Sequence, residues 1–168
     1  MKTKDSLTTT LFAEVFQTER SAIRHPIVEA DRLGPCPPAD ALRAVAAHAS
    51  RVEPSLAALA EKRGVKRSKI GRAFGSLFSI SRNRLADFML STEQSYRGTL
   101  LGIRHGHDVV TLFGMAATVE GDRELAAWCD AWLAERAPLA DAVADALVWF
   151  AEHPDRALRN AKRARPAR

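Results

Sequence analysis

Residues 41–60 read ALRAVAAHASRVEPSLAALA, and this stretch indicates the fold class. Its apolar side chains recur at steps of three or four residues: Leu42, Val45, Ala49, Val52, Leu56 and Leu59. This spacing places them on one face of an α-helix and leaves polar residues on the other face. Such a helix is stable when another element covers its apolar face. The stretch therefore predicts one member of a helical bundle.

Three further segments show the same pattern, and no segment shows sustained alternation with a period of two. Their apolar stripes are Phe12, Val15, Phe16 and Ile23; then Phe74, Leu77, Phe78, Leu85, Phe88, Met89, Tyr96, Leu100 and Ile103; and finally Leu125, Trp128, Trp132, Leu133, Leu139, Val143, Leu147 and Phe150. The sequence predicts an all-α, four-helix up-down bundle. We expect a single domain over residues 1–153, followed by a basic C-terminal tail over residues 154–168.

Caps, glycines and prolines predict where these helices begin, bend and end. Asp5 or Ser6 can cap the first helix, and the Gly- and Pro-rich residues 34–38 form a loop before the second. A turn is expected at residues 120–122, with Asp122 capping the last helix. Proline removes a backbone donor and clashes with the preceding turn. We therefore expect kinks or breaks at three positions: Pro26, Pro54 and Pro138.

Composition excludes several classes of protein. The chain has 168 residues, of which 46% are hydrophobic, so it can bury a core. It has no apolar run long enough to span a bilayer and no signal-peptide pattern, so a cytoplasmic location is expected. Two cysteines, without a CxxC spacing, make neither a disulfide framework nor a zinc knuckle. Phosphate-binding loops and the GxSxG nucleophile motif are missing from the sequence.

The positive charge is concentrated at the C-terminus. The formal net charge is +5, and six basic residues with no acid lie in residues 156–168. They are Arg156, Arg159, Lys162, Arg163, Arg165 and Arg168. A run of this kind is typical of a solvated terminus. The alternative interpretation is that this basic run makes weak, salt-dependent contact with nucleic acid or an anionic surface.

Four residues are candidate metal ligands because helical bundles hold metal ions with carboxylates and histidines from facing helices. They are His48, Glu53, Glu93 and Glu135, to which Glu14 or Glu19 could add a carboxylate from the first helix. Iron or manganese is the metal that such a site would hold. However, the sequence contains no Glu-x-x-His pair, and His48 and Glu53 point in different directions on a helix. The alternative is that His48 packs at the core edge and the glutamates are surface charges.

His105 and His107 form a second candidate metal site, with Asp108 beside them. Imidazole and carboxylate groups suit zinc, iron or nickel. Residues two apart on a helix point away from each other, so the pair could bind one ion only if Gly106 unwound the helix. A kink or a helix end is the alternative interpretation.

Residues 56–75 also resemble a helix-turn-helix in spacing. A small residue, Ala60, is followed by Gly64 at the turn and by Ile70 as an aliphatic anchor. The basic residues Lys66, Arg67, Lys69 and Arg72 would then contact phosphates. This is an alternative prediction of nucleic-acid binding. The apolar residues that follow this segment, such as Phe74, argue against a recognition helix that faces solvent.

The second half of the sequence resembles a known family. Residues 93–100, Glu-Gln-Ser-Tyr-Arg-Gly-Thr-Leu, look like the Glu-His-x-x-x-x-Tyr-Gly-Thr-Leu stretch of the ferritin-like, YciF-type small helical bundles. His48, followed by Leu56, Leu59 and Gly64, is similar to their second helix. The resemblance extends over about residues 7–150 and implies a helical bundle with an association with stress.

Two departures from the family pattern bear on function. Gln94 stands where metal-binding members have histidine, and Ala49 to Arg51 replace a carboxylate expected soon after His48. The resemblance therefore implies that the di-metal site has been lost and that there is no oxidase activity. We expect a non-catalytic bundle without a cofactor that acts by binding or assembly, including homo-oligomers formed through helix faces. The alternatives are a di-metal protein of iron or manganese and the DNA-binding protein described above.

Overall fold

Helices account for nearly all of the chain that the computed structural model describes, which is residues 6–65 and 90–161. Four long helices are present: α1 (Leu7–Leu33), α2 (Pro37–Lys62), α3 (Thr92–Val119) and α4 (Arg123–Asp145). Two short ones follow, α5 (Leu147–Glu152) and α6 (Pro154–Ala157). Within the described ranges the only β feature is an isolated bridge between Ser91 and Asn160. The prediction of an all-helical protein is confirmed.

Side-chain caps fix the beginnings of three of these helices. Ser6 accepts a hydrogen bond from the backbone N–H of Thr9 at the start of α1. Asp122 does the same for Leu125 at the start of α4, and Ser91 forms a capping box with Gln94 at the start of α3. The predicted caps at Ser6 and Asp122 are confirmed.

The three prolines lie inside continuous helices. Pro26 is in α1, Pro54 in α2 and Pro138 in α4, and none of them ends or restarts its helix. The prediction that these prolines break their helices is therefore wrong. Packing along the full helix outweighs the loss of one backbone hydrogen bond. The fourth predicted helix ends earlier than expected, at Asp145, and α5 begins as a separate short helix at Leu147.

The four long helices pack as a ring in which α1 lies against α2 and α3, and α4 lies against α2 and α3. Contacts along the ring give the helix directions. Thr8 at the start of α1 donates to Glu120 at the end of α3, so these two helices are antiparallel. Lys62 at the end of α2 bonds Glu124 at the start of α4, so that pair is antiparallel as well.

The same reasoning gives the directions of the four long helices, in chain order, as up, down, down, up. Arg20 of α1 pairs with Glu53 near the end of α2, and the Tyr96 hydroxyl near the start of α3 donates to the Val143 carbonyl near the end of α4. The consecutive helices α2 and α3 therefore run in the same direction. The up-down order that the sequence predicts therefore does not hold between these two helices, because alternating directions would need α3 to begin where α2 ends.

Among the described residues the core consists of two apolar clusters, one towards each end of the ring. The first cluster surrounds Phe12 and Phe113, whose rings meet edge to face with centroids 4.8 Å apart. The second surrounds Tyr96 and Phe150, with centroids 4.9 Å apart. Between the two clusters lies a short layer of buried polar side chains, which forms the candidate site.

The segment that follows α5 packs against the helices up to residue 161. Ala157 and Ala161 are buried, and the Arg156 guanidinium donates to the Leu33 carbonyl at the end of α1. The backbone N–H of Thr92 donates to the Arg159 carbonyl. Residues 154–161 therefore contact the long helices, and the division into a domain over residues 1–153 and a tail stays a prediction. The tail residues Lys162, Arg163, Arg165 and Arg168 lie outside the described residues.

In the part of the chain that the structure covers, no helix combines the length and the apolar character needed to cross a membrane.

Candidate functional site

Three ionisable side chains meet in the polar layer between the two apolar clusters. Glu19 comes from α1, His48 from α2 and Arg136 from α4. Their exposed fractions are 0%, 3% and 1%, so all three are removed from water. We call this group the buried arginine centre. Charged residues are rarely buried so completely unless they are paired, which is the case here.

The guanidinium of Arg136 links the other two side chains. Its Nη2 donates to Oε2 of Glu19 over 2.8 Å, and its Nε donates to Nδ1 of His48 over 2.9 Å. The plane of the group lies over the indole ring of Trp132, with Cζ 4.5 Å from the ring centroid. Arginine suits this role because its planar fork can bond two acceptors while it stacks on an aromatic face.

Burial and charge oppose each other in the ion pair. Burial raises the pKa of the Glu19 carboxyl above its usual value, and the nearby Arg136 acts against that rise. Burial likewise lowers the pKa of Arg136, while the attraction of Glu19 raises it. The attraction between the two charges therefore offsets part of the effect of burial on each group. Removing either one would leave an uncompensated buried charge.

His48 is held as a neutral imidazole. Its pKa is lowered to about 4 by burial, the largest cause, together with the positive charges of Arg136 and Arg51, against the opposing effect of Glu135. Since Nδ1 accepts a hydrogen bond from Arg136, the single ring proton of the neutral form must be on Nε2. Nε2 lies 3.5 Å from Oε2 of Glu135, which is itself bonded by Arg51 at the surface.

Trp132 forms the apolar side of the centre. Its ring meets that of His48 edge to face at 5.9 Å, and the ring of His107 lies 6.4 Å away. The indole N–H lowers the pKa of Glu19, but it lies outside hydrogen-bond geometry: among the described residues, Nε1 of Trp132 and Oε1 of Glu19 have no hydrogen-bond partner. The carboxylate of Glu19 therefore keeps one oxygen without a hydrogen bond.

The sequence positions these side chains through the helical repeat. Glu19 follows Val15 by four residues, and His48 follows Val45 by three, so both lie on the buried face of their helix. Arg136 follows Trp132 by four residues on the buried face of α4. Sequence reasoning identified His48 and weighed Glu19 but missed Arg136. The available signal was a charged residue at a position that the apolar stripe of α4 reserves for the core.

The structure brings together only two of the four predicted metal ligands, His48 and Glu135. Glu53 lies at the surface and pairs with Arg20. Glu93 lies in the first turn of α3, where a hydrogen bond from Arg97 lowers its pKa. The bundle centre contains Glu19 in place of these two acids. The four residues do not form a common site.

His105 and His107 lie in an uninterrupted helix that continues through Gly106. His105 is half exposed, with Nε2 3.5 Å from a carboxylate oxygen of Glu14 on α1. His107 faces the opposite neighbour, where its ring approaches Trp132 of α4. The two imidazoles therefore belong to different contacts. Glu14 is placed beside His105 and not in the polar layer.

The proposed helix-turn-helix lies only partly within the described residues. Leu56, Leu59 and Ala60 are buried in α2, and Gly64 has the positive φ of 67° expected of a helix end. The four predicted phosphate-contacting residues lie outside the described residues, so their role stays a prediction. They are Lys66, Arg67, Lys69 and Arg72.

The donor set of the polar layer does not fit a metal ion. In the two described ranges no three His, Cys, Asp or Glu side chains are grouped as ligands would be. The lone pair of His48 that points inward is already used by Arg136. A cation, the guanidinium, already lies against the carboxylate that a metal would need. Cys129 offers no nucleophile either, since burial raises the pKa of its thiol to about 12.

Comparison with known proteins gives no relative: no family model, no curated protein and no solved structure matches this chain.

Proposed function

We propose that this chain is a non-catalytic, ferritin-like four-helix bundle whose metal site is replaced by the buried arginine centre, and that it acts by binding or assembly. The resemblance of residues 93–100 to YciF-type bundles adds an association with stress to this proposal. The proposal involves no metal and no cofactor. The predicted alternatives, iron or manganese binding and DNA binding, are the outcomes that its test distinguishes.

The order of the helices supports the proposal. Ferritin-like bundles are distinguished from simple up-down bundles by one long crossover connection, which makes two consecutive helices parallel. In this chain α2 and α3 are consecutive and run in the same direction, while the helices that are neighbours in the ring are antiparallel.

The position of Arg136 carries the proposal. Bundles of the di-metal type hold cations at their centre with carboxylates from facing helices. Here Nη2 of Arg136 lies 2.8 Å from Glu19 in that central layer, and the guanidinium supplies the positive charge. An arginine side chain stays protonated at physiological pH, so the positive charge is permanent. A metal ion would have to displace a charge that is covalently attached to α4.

The surroundings of the centre support a role without catalysis. The three ionisable groups are all at most 3% exposed, so the centre offers no open face to a substrate. The hydrogen bonds join the helices to each other and leave His48 neutral. A layer of this kind fixes which side chains of α1, α2 and α4 lie opposite each other, because any other register would bury an unpaired charge.

Elemental analysis of the purified protein tests the proposal. Cells are grown with added iron, manganese and zinc, and the metal content per chain is compared for the wild type and for Glu19→Gln. We expect far less than one metal ion per chain in both proteins. A near-stoichiometric metal content in the wild type that falls in Glu19→Gln would overturn the proposal in favour of a metal-binding protein.

A gel shift addresses the DNA-binding alternative. That alternative predicts salt-sensitive binding that Arg67→Ala with Lys69→Ala weakens. Under the proposed function these two substitutions leave any binding unchanged. The matched control is Arg24→Ala, an exposed arginine on α1. Weakening by the double variant alone would favour the helix-turn-helix.

A further inference from the structure

An apolar stripe lies on the outer face of α3, opposite its buried face. Leu101 is 70% exposed and Val119 is 88% exposed, with two other apolar residues, Leu112 and Met115, on the same side. Their angular positions on a helix of 3.6 residues per turn fall within about 60° of each other. Several large apolar side chains along one helix face are unusual for a surface that meets only water.

Two glycines lie beside this stripe, and neither makes a close contact with the described residues. A side chain added at Gly98 or Gly102 would meet nothing within 4 Å. Glycine in the middle of an exposed helix costs about 1 kcal/mol relative to alanine. No close contact inside the chain compensates for that cost. Small residues at these positions would allow another helix to approach the backbone of α3.

The stripe also contains an unpaired cation and an unpaired anion. Arg104 and Asp108 are exposed and lie one turn apart between Leu101 and Leu112. In the described part of the chain neither of them forms an ion pair. A partner that pairs with both charges places an acid opposite Arg104 and a base opposite Asp108, which an antiparallel copy of the same face does.

We propose that the outer face of α3 pairs in antiparallel fashion with the same face of a second copy of this chain. A two-fold axis near residue 106 would place Arg104 of each copy opposite Asp108 of the other. The same axis places Leu101 within one residue of Leu112 of the second copy. An interface around a two-fold axis uses the same patch twice, so one self-complementary stripe is sufficient. This inference rests on the assembly role in the proposed function.

The charges select this register over its neighbours. Moving the axis by half a turn, to residue 108, would bring the two copies of Asp108 together. Like charges placed face to face in an interface oppose association. A single helix pair of this length buries on the order of 1,000 Å² in total, at the lower limit of specific interfaces. We therefore expect a dimer that dissociates on dilution.

Sedimentation velocity with charge-reversed variants tests the inference. As the protein concentration rises, the apparent mass of the wild type is expected to increase from the chain mass of 18.4 kDa towards twice that value. Arg104→Asp and Asp108→Arg each place like charges opposite each other, so each should weaken the dimer by at least about tenfold. An equimolar mixture of the two variants should restore dimers, because one copy then carries two acids and the other two arginines.

Arg24→Asp is the matched control, since it reverses an exposed arginine on α1. It should dimerise like the wild type. A monomeric wild type at every concentration, or a dimer that both single variants leave intact, would overturn the inference. Elemental analysis of the same samples separates this outcome from the proposed function: a metal-free protein with another oligomeric state or interface contradicts the α3 pairing alone.

Discussion

The Arg136 side chain is held in the interior by contacts with three residues, Glu19, His48 and Trp132. Moving a guanidinium and a carboxylate out of water costs several kcal/mol for each ion, and their attraction returns that cost only when the geometry is good. The pair therefore contributes less to stability than its short distance suggests. Its larger effect is on specificity, since an unpaired member would be strongly unfavourable.

Arg136→Met should lower the free energy of unfolding by about 3–5 kcal/mol, because it leaves Glu19 buried without its cation. Replacing both residues, with Glu19→Met added, should cost less than Arg136→Met alone. Urea unfolding followed by circular dichroism measures both values. Arg51→Met is the control, because the Arg51 pair with Glu135 is largely exposed and should be worth at most about 1 kcal/mol. A double variant that is less stable than the single one would contradict this account of the pair.

His48 predicts a dependence of stability on pH. The unfolded chain takes up a proton on His48 near its ordinary pKa of 6.5, whereas the folded chain resists protonation until about pH 4. Stability should therefore fall as the pH falls through this window, by about 2 kcal/mol between about pH 7 and about pH 5.

His48→Asn keeps a hydrogen-bond acceptor for Arg136 but does not titrate. In urea unfolding its stability should change less than that of the wild type over the same pH range. The carboxyl groups with lowered pKa values, such as Glu93, lose their contribution at lower pH. Equal pH slopes for the wild type and His48→Asn would show that the folded protein does not hold His48 neutral.

At the level of helices, the start of α4 is joined to the end of α2. Asp122 accepts from the backbone of Leu125 and also accepts two bonds from Arg63, one of them 2.6 Å long. These hydrogen bonds lower the pKa of the Asp122 carboxyl. Gly121 takes the positive φ of 77° that the preceding turn requires. One carboxylate therefore caps a helix and fixes its neighbour.

Asp122→Ala should destabilise the protein by about 1–2 kcal/mol, because α4 loses its cap and Arg63 loses its partner. Thermal unfolding followed by circular dichroism measures this change. Asp130→Ala, an exposed acid on the same helix, is the control and should stay within about 0.5 kcal/mol of the wild type. If the two variants lost the same stability, the cap would have no special role.

The sequence was informative about helices and uninformative about their arrangement. The caps at Ser6 and Asp122 could be predicted because they depend on neighbours in the chain. The effect of proline could not, because local propensity does not include the packing that carries α2 through Pro54. The sequence did not predict the helix directions either, since an apolar stripe has the same spacing whether its helix points up or down.

For the candidate site, the sequence indicated which residue types were available but not which of them contact each other. His48 was predicted as a ligand and is a hydrogen-bond acceptor for arginine. Glu53 and Glu93 were equally plausible acids, and only tertiary structure separates them from the buried Glu19. Arg136 was not predicted, because carboxylates and imidazoles bind cations and a guanidinium does not. A cation placed on a core stripe is the more informative signal.

At the scale of the molecule, the polar layer divides the core into two apolar clusters. Apolar faces alone allow helices to slide by a turn at small cost. Polar partners in the middle of a bundle restrict the helices to one register. The buried arginine centre therefore specifies how α1, α2 and α4 align. The outer face of α3 does not take part in this layer, and we propose it as the contact with a second copy of this chain.

The protonation of His48 in the folded protein tests the central claim most directly, and long-range ¹H–¹⁵N NMR of its imidazole measures it. At neutral pH we predict a neutral ring with its proton on Nε2 and an unprotonated Nδ1 that accepts from Arg136. Added zinc should leave this spectrum unchanged. A proton on Nδ1, a charged ring, or a ring that changes on addition of zinc would contradict a centre closed by the guanidinium.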